Sequence, residues 1–363
     1  MLDQYIEQVK KIFKPNSKVV VAMSGGVDSS LTAALIKRAG FETIGITLQL
    51  YKSENIAKGK TCCAGKDIQD AKNVAHAENF PHYVLDYTTL FKKQVIDDFV
   101  DTYSKGETPI PCGRCNQYIK FGHMLEFVES IDADYLVTGH YVEKDEQGNI
   151  MRSEDKFKDQ SYFLALTTAQ AFEKLQFPLA KIEKKIVKQM AAEIGLVTAN
   201  KSESMDICFI PDGDYRAFLH KQRPEMFIKG KIADSDGNEL GDHTGLANYT
   251  VGQRKNLNLS NGPWYVQKID TNSNTVIVAR HDQIKHAQFK VDETNLLVSP
   301  EYFKNNEILI QIRARMEPAI GRFDPSTNIV SFNTSQLAIA PGQICAFYDN
   351  NRLLGGSIIK HLL

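Results

Sequence analysis

The sequence predicts an α/β protein: an N-terminal parallel sheet wrapped by helices, a small central domain, and a C-terminal antiparallel β-barrel. Three observations predict it. From Lys18 to about Ala199, short β-branched runs alternate with amphipathic stretches of helical length, the pattern of a parallel sheet covered on both faces. Near Pro211–Leu257 turn pairs such as Asp236-Gly237 and Gly241-Asp242 break that rhythm. From Trp264 onward, short alternating strands are separated by Asn, Gly, Pro and Asp clusters, as in a small barrel or sandwich. A chain of 363 residues is long for one domain, and the expected divisions are 1–207, 208–284 and 285–363.

The elements follow in order. Leu2, Ile6, Val9 and Ile12–Phe13 fall at helical spacing, so the first stretch is an amphipathic helix. Lys18–Ala22 is a compact apolar strand, and Ser29–Ala39 a helix that Gly40 ends. Thr43–Leu50 and His82–Asp86 are strands flanking a helical Asp67–Asn79. Leu90–Tyr103 and Asn116–Ser130 are further helices, and Tyr135–Thr138 is a fourth strand. The late strands are Trp264–Ile269, Thr275–Arg280, Ile308–Ala314, Asn328–Phe332, Ile344–Tyr348 and Leu353–Ile359.

Composition narrows the function classes. No apolar run approaches a membrane span, and the first residues mix acidic Asp3 and Glu7 with lysines, unlike a signal peptide or presequence. A cytoplasmic protein without a membrane partner is expected. With a net charge of −1 the molecule is not a polycation, so a nucleic acid would be held by local patches. Candidates are Lys156 and Lys158, the run Lys181, Lys184, Lys185 and Lys188, and Arg313, Arg315 and Arg322; the lysine run also reads as a solvated helix face. Six cysteines in such a chain are thiols, ligands or small buried residues rather than a disulfide framework.

The string Ala22-Met23-Ser24-Gly25-Gly26-Val27-Asp28-Ser29-Ser30 follows an apolar strand and opens a helix. Its glycines let backbone N–H groups close around an anion, and the helix start adds partial positive charge. Ser24, Ser29 and Ser30 can donate to phosphate oxygens. Asp28 would repel phosphate, so its role is to hold Mg²⁺ that neutralises it. There is no Gly-Lys-Ser/Thr ending, which excludes a kinase-type P-loop. The string resembles the phosphate (PP) loop of the N-type ATP pyrophosphatases, adenine-nucleotide-binding enzymes that transfer AMP to a carbonyl or carboxylate oxygen. That resemblance implies ATP at Ala22–Ser29, without a tightly bound cofactor.

The cysteines select the chemistry. Cys208 sits in Lys201-Ser202-Glu203-Ser204-Met205-Asp206-Ile207-Cys208-Phe209-Ile210, and Cys115 in Ile110-Pro111-Cys112-Gly113-Arg114-Cys115-Asn116. Gly241-Asp242-His243-Thr244-Gly245, Gly252-Gln253-Arg254-Lys255 and Leu354-Gly355-Gly356 follow. In this order behind the phosphate loop, over nearly the whole chain, these strings closely resemble the tRNA-specific 2-thiouridylases. The resemblance implies that Cys208 carries a persulfide sulfur and Cys115 is its partner nucleophile, the two ending as a disulfide. It implies further ATP contacts at Leu48 and Gly139, and tRNA contacts at Ile110, Pro111, Cys112, Lys158, Asp159, Gln160, Arg313 and Ala314. The implied partners are tRNA (Lys, Glu and Gln acceptors) and a cysteine desulfurase or sulfur-relay protein.

The sequence departs from the family pattern twice. Ile110-Pro111-Cys112 stands where many members have Asn-Pro-Asp, so a carboxylate near the target base is missing and Cys112 competes with Cys115 as the partner thiol. Register with Asn116 and Ile119-Lys120-Phe121 favours Cys115. Ala314 stands where an aromatic often follows the arginine. Cys112-x-x-Cys115 also reads as a redox pair or as half a zinc site, which Cys62 and Cys63 could complete. Cys345, in an apolar run, reads as core. The competing functions are an adenylating enzyme using ammonia or an amino acid, and a nucleotide-sensing RNA-binding protein.

Overall fold

The computed structural model describes residues 2–51, 65–202, 206–210 and 212–363. Cys62 and Cys63, and Glu203–Met205 of the Cys208 string, lie outside them. The chain forms two compact units: one of Met1–Gln94, Arg114–Gly213 and Asn351–Leu353, the other of Val95–Gly113, Asp214–Asn350 and Leu354–Leu363.

In the first unit β1 (Lys18–Ala22), β2 (Glu42–Gln49), β3 (His82–Asp86) and β4 (Tyr135–Val137) belong to one sheet; β5 (Val142–Lys144) and β6 (Ile150–Arg152) form a hairpin outside it that pairs at Met151 with Arg352, and β7 (Leu175–Gln176) returns to the sheet. The sheet runs β3-β2-β1-β4-β7 with every pairing parallel. Val19, Val20 and Val21 are fully buried because a central parallel strand is covered on both faces, where β-branched side chains pack well. The β5–β6 hairpin and β7 escaped the sequence reading. β7 has two residues, too few to show a period; the hairpin turn is closed by Asp145, whose carboxylate accepts from the N–H groups of Gln147 and Asn149.

The helix after β1 spans Val27–Arg38. It ends as Gly40 predicts: with φ of 93°, Gly40 donates to Lys37 O and Phe41 to Ile36 O, the paired bonds of a left-handed helix stop. This helix, the N-terminal helix Leu2–Ile12 and the helix Lys184–Glu193 share one apolar core, built from residues such as Phe13, Leu31, Leu35, Val187 and Met190. Two stretches expected as single helices are broken. Leu90–Tyr103 is α-helix at Thr88–Phe91, π-helix at Lys92–Ile96 and α-helix at Asp97–Ser104. Asn116–Ser130 is preceded by a helical turn at Pro111–Arg114, then is π-helical over Cys115–His123 and α-helical over Met124–Ser130. π-Turns are rare and gather at functional sites; this one begins on Cys115.

The second unit holds two sheets. β8 (Gly230–Asp234), β9 (Glu239–His243), β10 (Tyr265–Asp270) and β11 (Thr275–Ala279) run in the order β10-β11-β8-β9, with β11 and β8 parallel. The strands expected at Trp264–Ile269 and Thr275–Arg280 therefore belong to this central sheet and not to the barrel. The barrel is β12 (Lys285–Leu296), β13 (Ile308–Gln311), β14 (Ala319–Asp324), β15 (Ile329–Leu337), β16 (Ile344–Asp349) and β17 (Arg352–Leu362). It runs β12-β15-β14-β13-β16-β17 and closes through antiparallel β12–β17 pairs, which removes the free edges. Phe289, Phe323, Phe347 and Cys345 fill it. β12 and β14 were missed because charged and polar residues dominate their outward faces.

Candidate active site

The order of the parallel sheet reverses between β1 and β4, and at such a switch point the loops leaving the two strands open a crevice. The loop after β1 is Met23–Gly26 and the loop after β4 begins with Thr138-Gly139. Gly25 has φ of 74°, and a Cβ there would lie 2.2 Å from Asp67 O, so only glycine permits the turn. A Cβ on Gly139 would come within 3.0 Å of the Asp28 and Ser29 backbone, so this glycine lets the second loop close on the first. The expected ATP residues thus converge. Leu48, near the end of β2, is buried.

The loop is held from inside. Met23 donates its N–H to Ile46 O, and its carbonyl accepts from Thr47 Oγ1 at 2.8 Å. With its proton so placed, Thr47 accepts from His82 Nε2 at 2.8 Å, and burial and then Lys72 push that imidazole down to about 4. Ser29 Oγ donates to Gly26 O and meets Ser24 N and Ser24 Oγ at 3.1 and 3.2 Å. Ser30 is fully buried, with no partner for its hydroxyl among the described residues, so it is not presented to an anion as expected.

The strongest electrostatic feature is one the sequence reading missed. Lys184 places Nζ 2.6 and 2.5 Å from the two carboxylate oxygens of Asp28, and the buried Tyr141 hydroxyl donates to Asp28 Oδ1 at 2.9 Å. Lys184 was one of four lysines read as a surface patch or a solvated face. Instead it is buried while Lys181, Lys185 and Lys188 are exposed. A signal existed: Lys184 is the first residue of its helix, where the helix dipole disfavours a cation unless an anion compensates. Asp28 keeps about a third of its side chain exposed and a carboxylate has four acceptor positions, so it can still offer one oxygen lone pair to Mg²⁺. Among the described residues no group of three or more His, Cys, Asp or Glu could hold a metal.

A second lysine braces the loop. Lys201 Nζ contacts Gly25 O at 2.9 Å, and Asp67 Oδ1 and Asp70 Oδ2 at 2.6 Å each. Burial works against its charge, yet the two carboxylates outweigh it and hold the ammonium above its ordinary range. Lys201 begins the string that leads to Cys208.

Cys115 is buried and Cys208 half-buried, and both belong to the same compact unit as the loop. Cys208 lies in a turn closed by Ile210 N–H on Ile207 O, and its neighbour Phe209 packs edge-on against Phe91 at 5.8 Å. Beside Cys115, Asn116 is buried and donates to Phe163 O at 3.1 Å; its Oδ1 has no partner among the described residues. Thr138-Gly139-His140 also bears on this region. Lys120 donates toward His140 Nε2 at 3.5 Å, so His140 Nδ1 donates to Thr138 Oγ1, and burial, then Lys120, keeps the ring well below its ordinary range.

The residues expected to touch tRNA have varied settings. Asp159 accepts from Arg152, Ser153 N, and Ser161 N and Oγ, and Gln160 Oε1 accepts from Tyr141 N, so both side chains brace their own loop. In the other unit, Gln343 Nε2 donates to Thr108 O and Pro109 O, fixing the entry to Ile110-Pro111-Cys112. There Ile110 is buried and Cys112 exposed. Arg313 donates to Val251 O and Ala338 O, both at 2.9 Å, and Gln311 caps the carbonyls of Arg313 and Ala314. Cys345 is wholly buried and its thiol is pushed up by burial, so it is core. His243 accepts from Gly245 N at Nδ1 and so donates from Nε2 to Asn274 O; the Gly241–Gly245 string is structural.

A glycine turn at the switch point of a parallel sheet, with paired acid and lysine beneath it, defines a nucleotide-binding α/β protein, here carrying two β domains. Three family models match in sequence: the tRNA methyl transferase HUP domain over residues 17–212, the tRNA methyl transferase PRC-barrel domain over 216–280, and the aminomethyltransferase beta-barrel domain over 286–359. The tRNA-specific 2-thiouridylase MnmA of Rickettsia bellii is 44% identical over 352 residues, covering 94% of this chain and 96% of that one. That of Zymomonas mobilis is 44% identical over 358 residues, covering 96% and 95%. The chain belongs to the tRNA-specific 2-thiouridylase family.

Proposed function

We propose that this protein is an ATP-dependent tRNA sulfurtransferase that replaces the C2 oxygen of the wobble uridine, position 34, by sulfur. The observation that carries the reading is the phosphate loop Ser24–Ser29 in one compact unit with Cys115 and Cys208. Methyl transfer, which two of the matching models carry in their names, would need neither a loop of this kind nor these thiols.

The uracil O2 is a poor leaving group. Attack of that oxygen on the ATP α-phosphate expels pyrophosphate and leaves O2 as an AMP ester. The Gly25–Gly26 turn and the helix start bind the phosphates through N–H groups, and Lys184 offsets the Asp28 charge below them. Asp28 would hold Mg²⁺, which would supply further neutralisation of the departing pyrophosphate. The terminal sulfur of a persulfide on Cys208 then attacks C2 and AMP leaves. Cys115 attacks the Cys208 sulfur, the S–S bond to the new thiocarbonyl sulfur breaks, and a Cys115–Cys208 disulfide remains for a thiol reductant to reset. A cysteine desulfurase, directly or through a relay protein, supplies the persulfide, in the cytoplasm and on Lys, Glu and Gln acceptor tRNAs. The domain limits at 207 and 284 belong to the same reading.

The test is direct. Protein, unmodified tRNA, ATP, Mg²⁺, a cysteine desulfurase and cysteine should yield the oxygen-to-sulfur mass gain on the wobble uridine. No gain, or an undiminished gain in Cys208→Ser, sinks the assignment. An ammonia-using adenylating enzyme would keep its activity in Cys115→Ser and Cys208→Ser, and a sensor would bind ATP without releasing AMP and pyrophosphate.

A further inference from the structure

We infer that Phe157 is a stacking platform for an unpaired base of the RNA substrate, held beside the phosphate loop on a braced turn. The inference rests on the proposed function in taking tRNA as the substrate.

Phe157 is 100% exposed, more than any other large apolar side chain among the described residues; the next, Val197, is 65% exposed. Singly scattered surface apolar residues are ordinary, and exposure alone does not mark Phe157. Its ring stands clear of the surface and receives nothing from the folded state. Nor is it on a loose tip. Lys158 N–H closes a turn on Asp155 O at 2.9 Å, and Asp155 Oδ1 accepts from Phe157 N–H at 3.2 Å. Behind the turn Ser153 Oγ and Glu154 N–H both donate to Ala180 O, and ahead of it Asp159 is fixed by Arg152, Ser153 and Ser161. The backbone is thus ordered on both sides of a ring that touches nothing.

The flanks choose the partner. Lys156 and Lys158 flank Phe157 in the chain, Lys156 exposed and Lys158 half-buried, while Asp155 and Asp159 accept from internal donors and Glu154 is exposed. An exposed aromatic ring with a neighbouring cation is a recurring device for unpaired nucleotides: the ring stacks on a base and a cation such as Lys156 meets a phosphate. A protein or lipid surface would call for further apolar side chains, and the turn has none.

The anchor sets the location. Asp155 Oδ2 accepts from the backbone N–H of Lys184 at 3.4 Å, and the same lysine grips Asp28 with Nζ. Phe157 is two residues from Asp155, at most about 7 Å of chain. In this inference the base it takes belongs to the same unpaired loop as the reacting one. Swinging a base out of an anticodon loop leaves its neighbours without a stacking partner, and Phe157 supplies one.

The experiment compares Phe157→Ala and Phe157→Trp with the unaltered protein for tRNA binding and steady-state thiolation, with melting temperature as control. Stacking of one base predicts that F157A raises both the Kd and the KM for tRNA by about 5- to 150-fold. Its kcat should stay within about twofold, KM for ATP and melting temperature should not move, and F157W should restore tRNA binding. Unaltered tRNA Kd and KM in F157A overturn the inference while leaving the functional reading intact. A fall in kcat without a change in KM, or failure of F157W to restore binding, overturns it too. A raised KM for the sulfur-donor protein alone would reassign the turn to that partner. If the unaltered protein neither binds nor thiolates tRNA, the functional reading fails and this inference with it.

Discussion

Replacing Lys184 by methionine tests whether the buried pair under the phosphate loop is what orders it. The substitution keeps the length and apolar stem of the side chain but removes the ammonium that sits 2.6 and 2.5 Å from the Asp28 oxygens. Asp28 then retains the Tyr141 hydroxyl as its remaining side-chain donor among those described here. Breaking a fully buried ion pair from one side costs about 3–5 kcal/mol. Here the Lys184 side chain is 10% exposed but that of Asp28 is 30% exposed, so water re-solvates part of the stranded carboxylate. The expected loss is therefore about 1–3 kcal/mol. Urea titration of K184M, followed by far-UV circular dichroism, measures it. The double variant Asp28→Asn/Lys184→Met should recover most of the loss, since no unpaired charge remains. ATP–pyrophosphate exchange dependent on tRNA should be abolished in both variants, because neither keeps the Lys184 ammonium under the loop. A double variant no more stable than K184M alone would refute the account of a stranded carboxylate. Full exchange activity in it would refute a role in adenylation.

Three further predictions concern separate parts of the molecule. Cys115→Ser and Cys208→Ser should each lose thiolation while Cys345→Ser keeps it, since Cys345 is sealed in the barrel core; Cys112→Ser decides the partner thiol, and mapping of the disulfide without reductant after one turnover checks the answer. His82 titrates at about 4 in the folded protein against about 6.5 in an unfolded chain. The unfolded state therefore binds more protons between those values, and its contribution to stability, complete above about pH 6.5, is lost as pH falls toward 4. His82→Gln should flatten that part of the pH–stability curve, and His140 contributes with the same sign. Arg313→Leu should lower stability by about 1–2 kcal/mol, because two part-buried carbonyls lose a charged donor; an arginine serving tRNA alone predicts an unchanged denaturation midpoint.

Much of the fold was legible because it is written in local signals. Val19–Val21 bounded by Lys18 and a glycine turn reads as a buried strand, and Gly40 marks a helix stop that the structure makes with two bonds. Gly25 of the Ser24–Ser29 loop was equally legible, since its positive φ and its approach to Asp67 O admit only glycine. What stayed hidden has no local period. The two-residue β7 joins the sheet through register with β4, and β12 and β14 face solvent on one side with residues that mask their alternation. The π-helix at Cys115 was read as ordinary helix because its apolar spacing differs from α-helical spacing by less than a sequence can resolve.

The sequence by itself determined the class of chemistry: a loop that can bind ATP phosphates and two thiols in strings that resemble a sulfur-transfer family. It could not say which charges serve the loop, because Asp28 and Lys184 are 156 residues apart and Lys201 and Asp67 are 134 apart. Charge pairs of that kind form only when the sheet brings distant helices to one crevice, and a lysine run on paper carries no mark of which member turns inward. Tertiary structure made that choice by burying Lys184, and by setting Phe157 on a turn whose anchor is Lys184 itself.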